Sequence, residues 1–390
     1  MATALVFLFA LMLVASPAHA QKYKVLHNFT NGGDGGDPDA GLTIDRAGNF
    51  YGTASGGGSA GWGTVYKMSY QGSAWVVLPL YGFKGGNDGA NPLSAVTIGP
   101  DGSLYGQTIG EYDGQGTVFN LKPPPTRPPT VLSPWTETVL DQFTGYNDGD
   151  QPVYGPLIFD PAGNLYGTTQ FGGNGSFGIV YELTRYGDNW IESILYNFSL
   201  PTNGPLSGVV RDSVGNLYGT TADGGAVFKL SPSGSGWTMT ILHTFNGGND
   251  GSLAYGGLVM DPAGNLYGAS SDGGSGFGGV VYELSPNNGG WKYNVIYSLS
   301  GSRGPFGNLT LDAAGNLYGA SLSDGANDAG MIFKLTPSNG SWTLTDLHDF
   351  SFDTAYFPYG AVTLDANGDL FGTASGGGVY GHGVIWEITP

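Results

Sequence analysis

The chain contains no cysteine among its 390 residues and few charged residues of either sign. No disulfide can therefore stabilise the fold, and cysteine-based metal sites and thiol nucleophiles are excluded. Lys and Arg number only 13 against 31 Asp and Glu, which gives a formal charge of -18. A field of that sign opposes binding to nucleic acid and to anionic membranes, because both need clustered basic residues. Neutral glycans, cations and protein partners remain open.

A hydrophobic run long enough to span a bilayer is also missing. The apolar stretch at residues 4–15 is too short for a transmembrane helix. It is followed by Ser16-Pro17 and then Ala18-His19-Ala20, the small-residue pattern that signal peptidase recognises. We therefore predict a signal peptide over residues 1–20, cleaved near Ala20. The mature chain is then expected to be a monomer without a membrane span, either secreted, periplasmic or at the cell surface.

Glycine and aromatic residues are abundant, and they recur in a fixed pattern. Gly accounts for 71 residues and aromatic residues for 13% of the chain. A turn followed by Gly-Asn-Leu-Tyr-Gly, or a close variant, occurs seven times at intervals of roughly 50 to 60 residues, which is typical of propellers and solenoids. The aromatic residue of this marker falls at Tyr51, Tyr105, Tyr166, Tyr218, Tyr267, Tyr318 and Phe371.

Each unit predicts four short β-strands. In the third unit the strand-like runs are 155–160, 165–169, 178–183 and 190–198. They are rich in β-branched and aromatic residues and bounded by Gly, Asn, Pro and Asp. No helical period of apolar residues competes after residue 20. Seven units of four antiparallel strands predict an all-β, seven-bladed β-propeller over residues 21–390.

The two ends of the chain predict how the ring closes. Residues 22–29 match the fourth strand of a unit but have no unit before them, whereas the last unit stops at a third strand, 383–388. We therefore expect the N-terminal strand to complete the last blade. An open solenoid would instead need polar terminal caps.

The unit resembles the Gloeo/Verruco (GloVer) tandem repeat of exported bacterial proteins described as "choice-of-anchor". The resemblance rests on Asp-x-x-Gly-Asn-Leu-Tyr-Gly at 160–167, 212–219, 261–268 and 312–319, and on the Gly-x-Val-Phe-x-Leu and Leu-His-x-Phe segments. It covers essentially all of the mature chain and implies a secreted or surface-displayed propeller without an assigned activity. No anchor segment follows the last strand, so we expect free secretion or a periplasmic location.

Two sets of loops are expected on one face of the propeller, and the first is rich in Asp-Gly. The inter-blade loops place an Asp five residues after the Phe that ends a blade, at Asp34, Asp88, Asp148 and Asp250. Carboxylates around one opening suit hard cations, and calcium is the cation expected. The alternative is that these Asp-Gly pairs only form turns, since Asp side chains bond their own backbone.

The second loop set joins the second and third strands and varies most between blades. It carries Trp62, Tyr112, Tyr380 and His382, together with acids such as Asp272. Exposed aromatic residues among Gly suit sugar stacking or protein contacts, and function concentrates on loops held by a rigid scaffold. Simple loop variation is the alternative.

The Asp that ends the first strand, for example Asp312, is expected to cap a turn on the opposite face.

No catalytic signature is present in the sequence. His27, His243 and His348 occupy equivalent positions on distant blades, so a histidine-pair metal site and a Ser-His-Asp triad are not expected. We predict a non-catalytic scaffold that binds a glycan, a cation or a protein, with polysaccharide or a cell-surface protein as partner. The alternatives are a carboxylate-dependent glycoside hydrolase or lyase at the central mouth, and a calcium-stabilised structural surface protein.

Overall fold

The computed structural model describes residues 21–111, 115–125, 134–152, 154–200, 204–221 and 225–389. These residues form β-strands joined by loops, with two short 3-10 helices at Gly86–Asp88 and Gly248–Asp250. No helix in these ranges is long and apolar enough to cross a membrane. The predicted signal peptide lies outside the described residues.

The strands form seven four-stranded sheets and one two-stranded ribbon. The chain begins with β1 Lys22–Asn28, and blades 1 to 3 follow: β2 Thr43–Ile44, β3 Phe50–Ala54, β4 Thr64–Gln71 and β5 Ala74–Gly82 in blade 1; β6 Thr97–Ile98, β7 Leu104–Thr108, β8 Thr117–Lys122 and β9 Thr136–Gln142 in blade 2; β10 Ile158–Phe159, β11 Leu165–Thr169, β12 Ile179–Tyr186 and β13 Asn189–Asn197 in blade 3. Blades 4 to 6 contain β14 Val210–Arg211, β15 Leu217–Thr220, β16 Ala226–Ser233 and β17 Gly236–Thr244 in blade 4; β18 Val259–Met260, β19 Leu266–Ser270, β20 Val280–Asn287 and β21 Gly290–Ser298 in blade 5; β22 Thr310–Leu311, β23 Leu317–Ser321, β24 Met331–Ser338 and β25 Ser341–Asp349 in blade 6. Blade 7 contains β27 Thr363–Leu364, β28 Leu370–Ala374 and β30 Val384–Thr389, and the two-stranded ribbon pairs β26 Ala355–Tyr356 with β29 Gly376–Gly377.

Ring closure by the N-terminal strand is confirmed. Blades 1 to 6 are sequential antiparallel meanders, but the order in blade 7 is β27-β28-β30-β1. Strand β1 therefore forms the outer edge of the last blade, with Lys24 opposite Glu387 and Tyr23 opposite Ile388. The all-β, seven-bladed architecture predicted from the repeats is likewise confirmed.

The glycine of the Leu-Tyr-Gly marker lets each blade accommodate a large side chain. Gly167 pairs with Tyr181 across β11 and β12. A Cβ atom at Gly167 would lie only 2.3 Å from the Tyr181 hydroxyl oxygen, closer than real Cβ contacts allow. The two parts of the repeat are therefore linked, because the small residue on the second strand makes room for the aromatic residue on the third.

The hydrophobic core is divided among the interfaces between neighbouring blades. Tyr166, Val180 and Phe198 of blade 3, for example, pack against Leu217 and Phe228 of blade 4. Corresponding clusters join the other adjacent blades around the ring, including blade 7 to blade 1. Burial of apolar area between blades therefore stabilises the ring, with a contribution of about 25 cal/mol per Å².

Threonine side chains on the second strands donate hydrogen bonds to the loops that lead into the channel. Thr53 Oγ1 donates to the Ser94 carbonyl of the next blade at 3.0 Å, and Thr168 Oγ1 donates to the Ser207 carbonyl at 2.8 Å. Blade 7 repeats the contact across the closure, since Thr373 Oγ1 donates to the Ala40 carbonyl at 2.8 Å. Each of these bonds holds in place the loop that precedes the next inner strand.

Candidate functional site at the mouth of the central channel

The short inner strands surround a central channel that encloses about 860 Å³. Its wall consists mainly of apolar residues and threonines. The threonine hydroxyls are already engaged, since Thr43 Oγ1 donates to the Val96 carbonyl at 2.5 Å and Thr97 Oγ1 to the Leu157 carbonyl at 2.6 Å. The wall therefore offers few free polar groups, and ligand-specific chemistry is more readily found at the mouth.

Five side chains from five blades surround the mouth on the face of the inter-blade loops. We call this set the mouth ring; it consists of Asp39, Tyr154, Tyr255, Phe306 and Tyr359. Each residue stands three positions before the buried Leu or Val that leads into an inner strand. Together with Arg303, Asp272 and their neighbours, the ring lines a cavity of about 640 Å³.

The backbone just before the mouth ring adopts an unusual conformation. Asp37, Leu253 and Phe357 each lie two residues before a ring member, with φ of 54°, 55° and 60°. Asn91 and Gln151 are left-handed at the corresponding points of blades 2 and 3. Non-glycine residues rarely adopt positive φ, and such strain concentrates at functional sites.

The aromatic members of the ring contact one another. Tyr255 and Phe306 stack with centroids 4.3 Å apart and planes 9° from parallel. Phe306 also meets Tyr359 edge-on at 5.7 Å and 89°. Stacked and edge-on pairs are favourable arrangements of aromatic rings, so these side chains hold each other in position. All three are only partly buried and remain accessible from the cavity.

Asp39 and Arg303 are charged residues of the mouth cavity that can bind polar groups of a ligand. Burial raises the pKa of Asp39 to about 6, although the hydroxyl of Ser55, 2.9 Å away, acts in the opposite direction. Burial and the negative charge of Asp39 raise the pKa of Tyr359, whereas the positive charge of Arg303 lowers it. The Tyr359 hydroxyl therefore lies within the electrostatic influence of both charged groups.

The four Asp-Gly carboxylates predicted as ligands each bond within their own turn. Asp34 accepts from the Thr30 amide at 3.1 Å, and Asp88 from the Lys84 amide at 2.7 Å. Asp148 accepts from the Thr144 amide at 3.0 Å, and Asp250 from the Asn246 amide at 2.9 Å. Among the described residues, no group of three or more His, Asp or Glu side chains is placed to hold a metal ion. Calcium binding, and a ligand role for these four carboxylates, stay predictions.

Among the described residues of the second predicted loop set, Trp62, Tyr380 and His382 do not line the mouth cavity. Trp62 is partly buried against the hydrophobic cluster of blades 1 and 2. Tyr380 is 58% exposed, and His382 lies close enough to Asp37 to lower its pKa, which burial raises. Tyr112 lies outside the described residues. Of the residues discussed from this set, Asp272 does reach the mouth cavity.

Sequence reasoning missed the aromatic residues of the mouth ring, although a signal was present. An aromatic residue followed by Gly and then, two positions later, Leu or Val occurs at 154–157, 255–258, 306–309 and 359–362. Alignment of the blades on their first strands, rather than on the Gly-Asn-Leu-Tyr-Gly turn, would have brought these residues into register.

The match to a known family covers nearly the whole chain. The model of the Gloeobacter/Verrucomicrobia repeat matches residues 14–226 and again residues 208–390. The chain belongs to the Gloeobacter/Verrucomicrobia repeat family. The resemblance seen in the repeated motif is thereby confirmed. No curated protein matches the sequence of this Gloeobacter/Verrucomicrobia repeat protein.

Solved structures share the architecture at low sequence identity. The extracellular domain of a proposed one-component system from B. thetaiotaomicron aligns with a TM-score of 0.58 and 12% identity over 94% of this chain, which spans 40% of that one. A fungal alcohol oxidase of the AA5 family, in complex with copper, aligns at 0.57 and 16% over 95% of this chain and 77% of its own. A proposed 6-phosphogluconolactonase from Bacteroides uniformis aligns at 0.52 and 16%, over 79% and 83%. Such identities indicate a common fold only.

Proposed function

We propose that this Gloeobacter/Verrucomicrobia repeat protein is an exported, non-catalytic binding protein that holds a sugar unit of a glycan at its channel mouth. The observation that supports this proposal is the mouth ring itself. Four aromatic side chains from four blades face one cavity of about 640 Å³, together with the carboxylates of Asp39 and Asp272 and the guanidinium of Arg303. The aromatic side chains of this cavity supply contact surface, and its polar groups can fix the orientation of a ligand.

The physical basis of the proposal is the dual character of a sugar ring. One face of a pyranose is lined by C–H groups and packs on an aromatic surface, while its hydroxyls need hydrogen-bond partners. The stacked pair Tyr255 and Phe306 offers the surface, and Asp39 and the Tyr359 hydroxyl offer partners. The charge of -18 disfavours highly anionic polymers, and the predicted signal peptide would bring the protein to extracellular glycans.

The experiment is glycan binding by residues 21–390, first on an array and then by calorimetry. Phe306→Ala and Tyr255→Ala are each expected to weaken binding of an array hit about tenfold or more, because each removes a stacking surface. Tyr380→Ala is the matched control, since Tyr380 is an exposed aromatic residue of the other loop set. Loss of binding in Tyr380→Ala with retention in Phe306→Ala would move the site to that loop set and refute the proposal.

A carboxylate-dependent glycoside hydrolase is the second candidate. Asp39 and Asp272 both line the mouth, and a pKa of about 6 suits Asp39 to exchange protons near neutral pH. Its test is release of reducing sugar from a bound oligosaccharide. Turnover that disappears in Asp39→Asn while binding persists would establish hydrolysis in place of simple binding.

A further inference from the structure

Arg303 is distinctive among the residues that line the channel and its mouth. It is exposed on the loop between β21 and β22, and it is the one Lys or Arg among the described residues lining either cavity. Within the same described ranges, no Lys or Arg side chain lies within 4.0 Å of a carboxylate; the two close contacts between opposite charges are both His–Asp. The Arg303 guanidinium thus lines the mouth cavity, and its N–H groups make no ion pair with a carboxylate of the described residues.

A carboxylate lines the same cavity as the guanidinium. Asp39 is partly buried there, and its carboxylate accepts from the Ser55 hydroxyl at 2.9 Å. Tyr359 stands in the field of both groups, as the opposing effects of Asp39 and Arg303 on its hydroxyl indicate. A ring stacked on Tyr255 and Phe306 would therefore share one cavity with an acceptor for its hydroxyls, Asp39, and a cationic donor, Arg303.

We propose that the sugar unit held at this mouth carries a single carboxylate, as a uronic acid does, and that Arg303 binds that carboxylate. This inference rests on the proposed glycan-binding function. The planar guanidinium matches a carboxylate with two parallel N–H···O bonds, which a neutral hydroxymethyl group cannot form. Multiply sulfated sugars are not expected to bind, because Asp39, Asp272 and the net charge of -18 repel further negative charge.

The experiment compares ligands that differ only in this charge. Residues 21–390 are titrated with short oligomers that each carry a single galacturonate, glucuronate or mannuronate unit, and with the same oligomers after methyl esterification of that unit. We expect at least one acid to bind about tenfold or more tightly than its ester, with a preference that declines as salt is raised. Arg303→Gln should remove the preference, because it weakens binding of the acid by at least about tenfold more than binding of the ester. Arg303→Lys should retain part of it, and Arg185→Gln, which removes an exposed arginine of blade 3, should retain all of it.

The possible results separate this inference from the function on which it rests. If ester and acid bind equally, and Phe306→Ala weakens both, glycan binding at the mouth stands and the assignment of Arg303 is overturned. If an acid preference survives both Arg303→Gln and Phe306→Ala, the acid binds elsewhere and both proposals are overturned. If neither these oligomers nor a broad neutral glycan array binds the unmodified chain, the proposed function itself is overturned.

Discussion

The glycines directly before the third strands of blades 6 and 7 are restricted by both their backbone conformation and their surroundings. Gly383 has φ of 89°, and a Cβ there would lie 2.5 Å from Pro38 Cδ and 2.6 Å from the Ala374 carbonyl oxygen. Gly330 repeats this arrangement, with φ of 113° and Pro358 Cδ at 2.5 Å. The proline that leads into each of these mouth loops thus packs directly on a glycine of the preceding blade. Two requirements coincide at one position, a left-handed backbone and the absence of a side chain.

Gly383→Ala is expected to lower the free energy of unfolding by about 3 kcal/mol, since it adds a steric clash to the cost of positive φ. Gly340→Ala is the matched control: φ at Gly340 is 81°, but no atom lies within 4 Å of the added Cβ. That control should cost about 1 kcal/mol. The measurement is the midpoint of denaturant and thermal unfolding. Equal losses in the two variants would show that backbone conformation alone accounts for the glycine.

The aspartates that end the inner strands act as turn caps, as the sequence predicted. Asp312 Oδ1 accepts from the amides of Ala314 at 2.9 Å and Asn316 at 2.8 Å, while Oδ2 accepts from Asn316 Nδ2 at 2.7 Å and the Tyr318 hydroxyl at 3.1 Å. Burial alone would raise the pKa of Asp312, but these hydrogen bonds outweigh burial and lower it.

Asp312→Ala is therefore expected to destabilise the protein by about 1–2 kcal/mol at pH 7. A carboxyl group whose pKa is lowered by folding stabilises above its unfolded pKa and loses this contribution as pH falls through the folded pKa. The difference between variant and parent should accordingly shrink below about pH 4. Thermal unfolding at pH 7 and pH 3 measures it, with Asn367→Ala in the equivalent turn of blade 7 as a control that leaves the carboxylate in place. A difference that does not change with pH would contradict the proposed role of the ionised carboxylate.

At the scale of strands, the outer edges of neighbouring blades meet through matched side chains. His243 stacks on Tyr293 at 3.7 Å, and His348 on Tyr23 at 3.8 Å. Between blades 2 and 3 the corresponding positions hold two acids, Asp141 on β9 and Glu192 on β13. Asp141 Oδ2 and Glu192 Oε1 are buried, and neither has a hydrogen-bond partner among the described residues. This junction therefore brings two acids together where the junctions of blades 4 and 5 and of blades 6 and 7 place stacked aromatic pairs.

Glu192→Gln is expected to stabilise the protein near pH 8 and to have little effect near pH 4.5. Burial, followed by the charges of Asp141 and Asp148, raises the pKa of Glu192 to about 8. A carboxyl group with a raised folded pKa costs stability progressively as pH rises from its unfolded pKa to its folded pKa. With allowance for partial exposure, the gain at pH 8 should be about 1 kcal/mol. Melting temperatures of parent and variant between pH 4.5 and 9 measure it.

Asp188→Asn is the control for that series, because it removes one negative charge from an exposed position in the turn between β12 and β13. It should change stability little at either pH. An equal gain in both variants would attribute the effect to net charge rather than to the junction between blades 2 and 3.

The bounds of the strands were predicted well where neighbouring strands pair over many residues, and poorly near the axis of the propeller. The run 155–160 was expected to form one strand, but only Ile158–Phe159 pairs with β11. Near the axis the blades converge, and a Cβ at Gly155 would lie 1.7 Å from the Gly208 amide nitrogen. Backbone there packs against the next blade instead of extending its own ladder. The mouth ring was missed for the same reason, since its members lie in this convergent zone and meet only after the ring has closed.

At the scale of the whole molecule, stability depends on the joint between the two ends of the chain. Every blade interface contributes a hydrophobic cluster, and the cluster between blades 7 and 1 includes Phe29, Phe50, Phe371 and Ile385. The mouth ring likewise combines Asp39, in the loop between β1 and β2, with Tyr359, in the loop before β27. The propeller fold and the mouth ring therefore both require that blade 7 packs against blade 1. The repeats predicted this joint because an unpaired fourth strand at one end complements a missing fourth strand at the other.

A disulfide across the joint should stabilise the closed ring. Lys24 and Glu387 are directly paired in register between β1 and β30, and the absence of any other cysteine makes Lys24→Cys with Glu387→Cys free of competing pairings. Paired residues of antiparallel strands lie about 4.5–5.5 Å apart, within the Cα range of disulfides. The bond restricts the unfolded chain across nearly its whole length, and a gain of about 2–4 kcal/mol is expected. Thermal unfolding and protease resistance with and without reductant measure it, and each single cysteine variant serves as control. Failure of the pair to cross-link as a monomer, or an oxidised form no more resistant than the reduced one, would mean that opening at this joint does not limit the stability of the propeller.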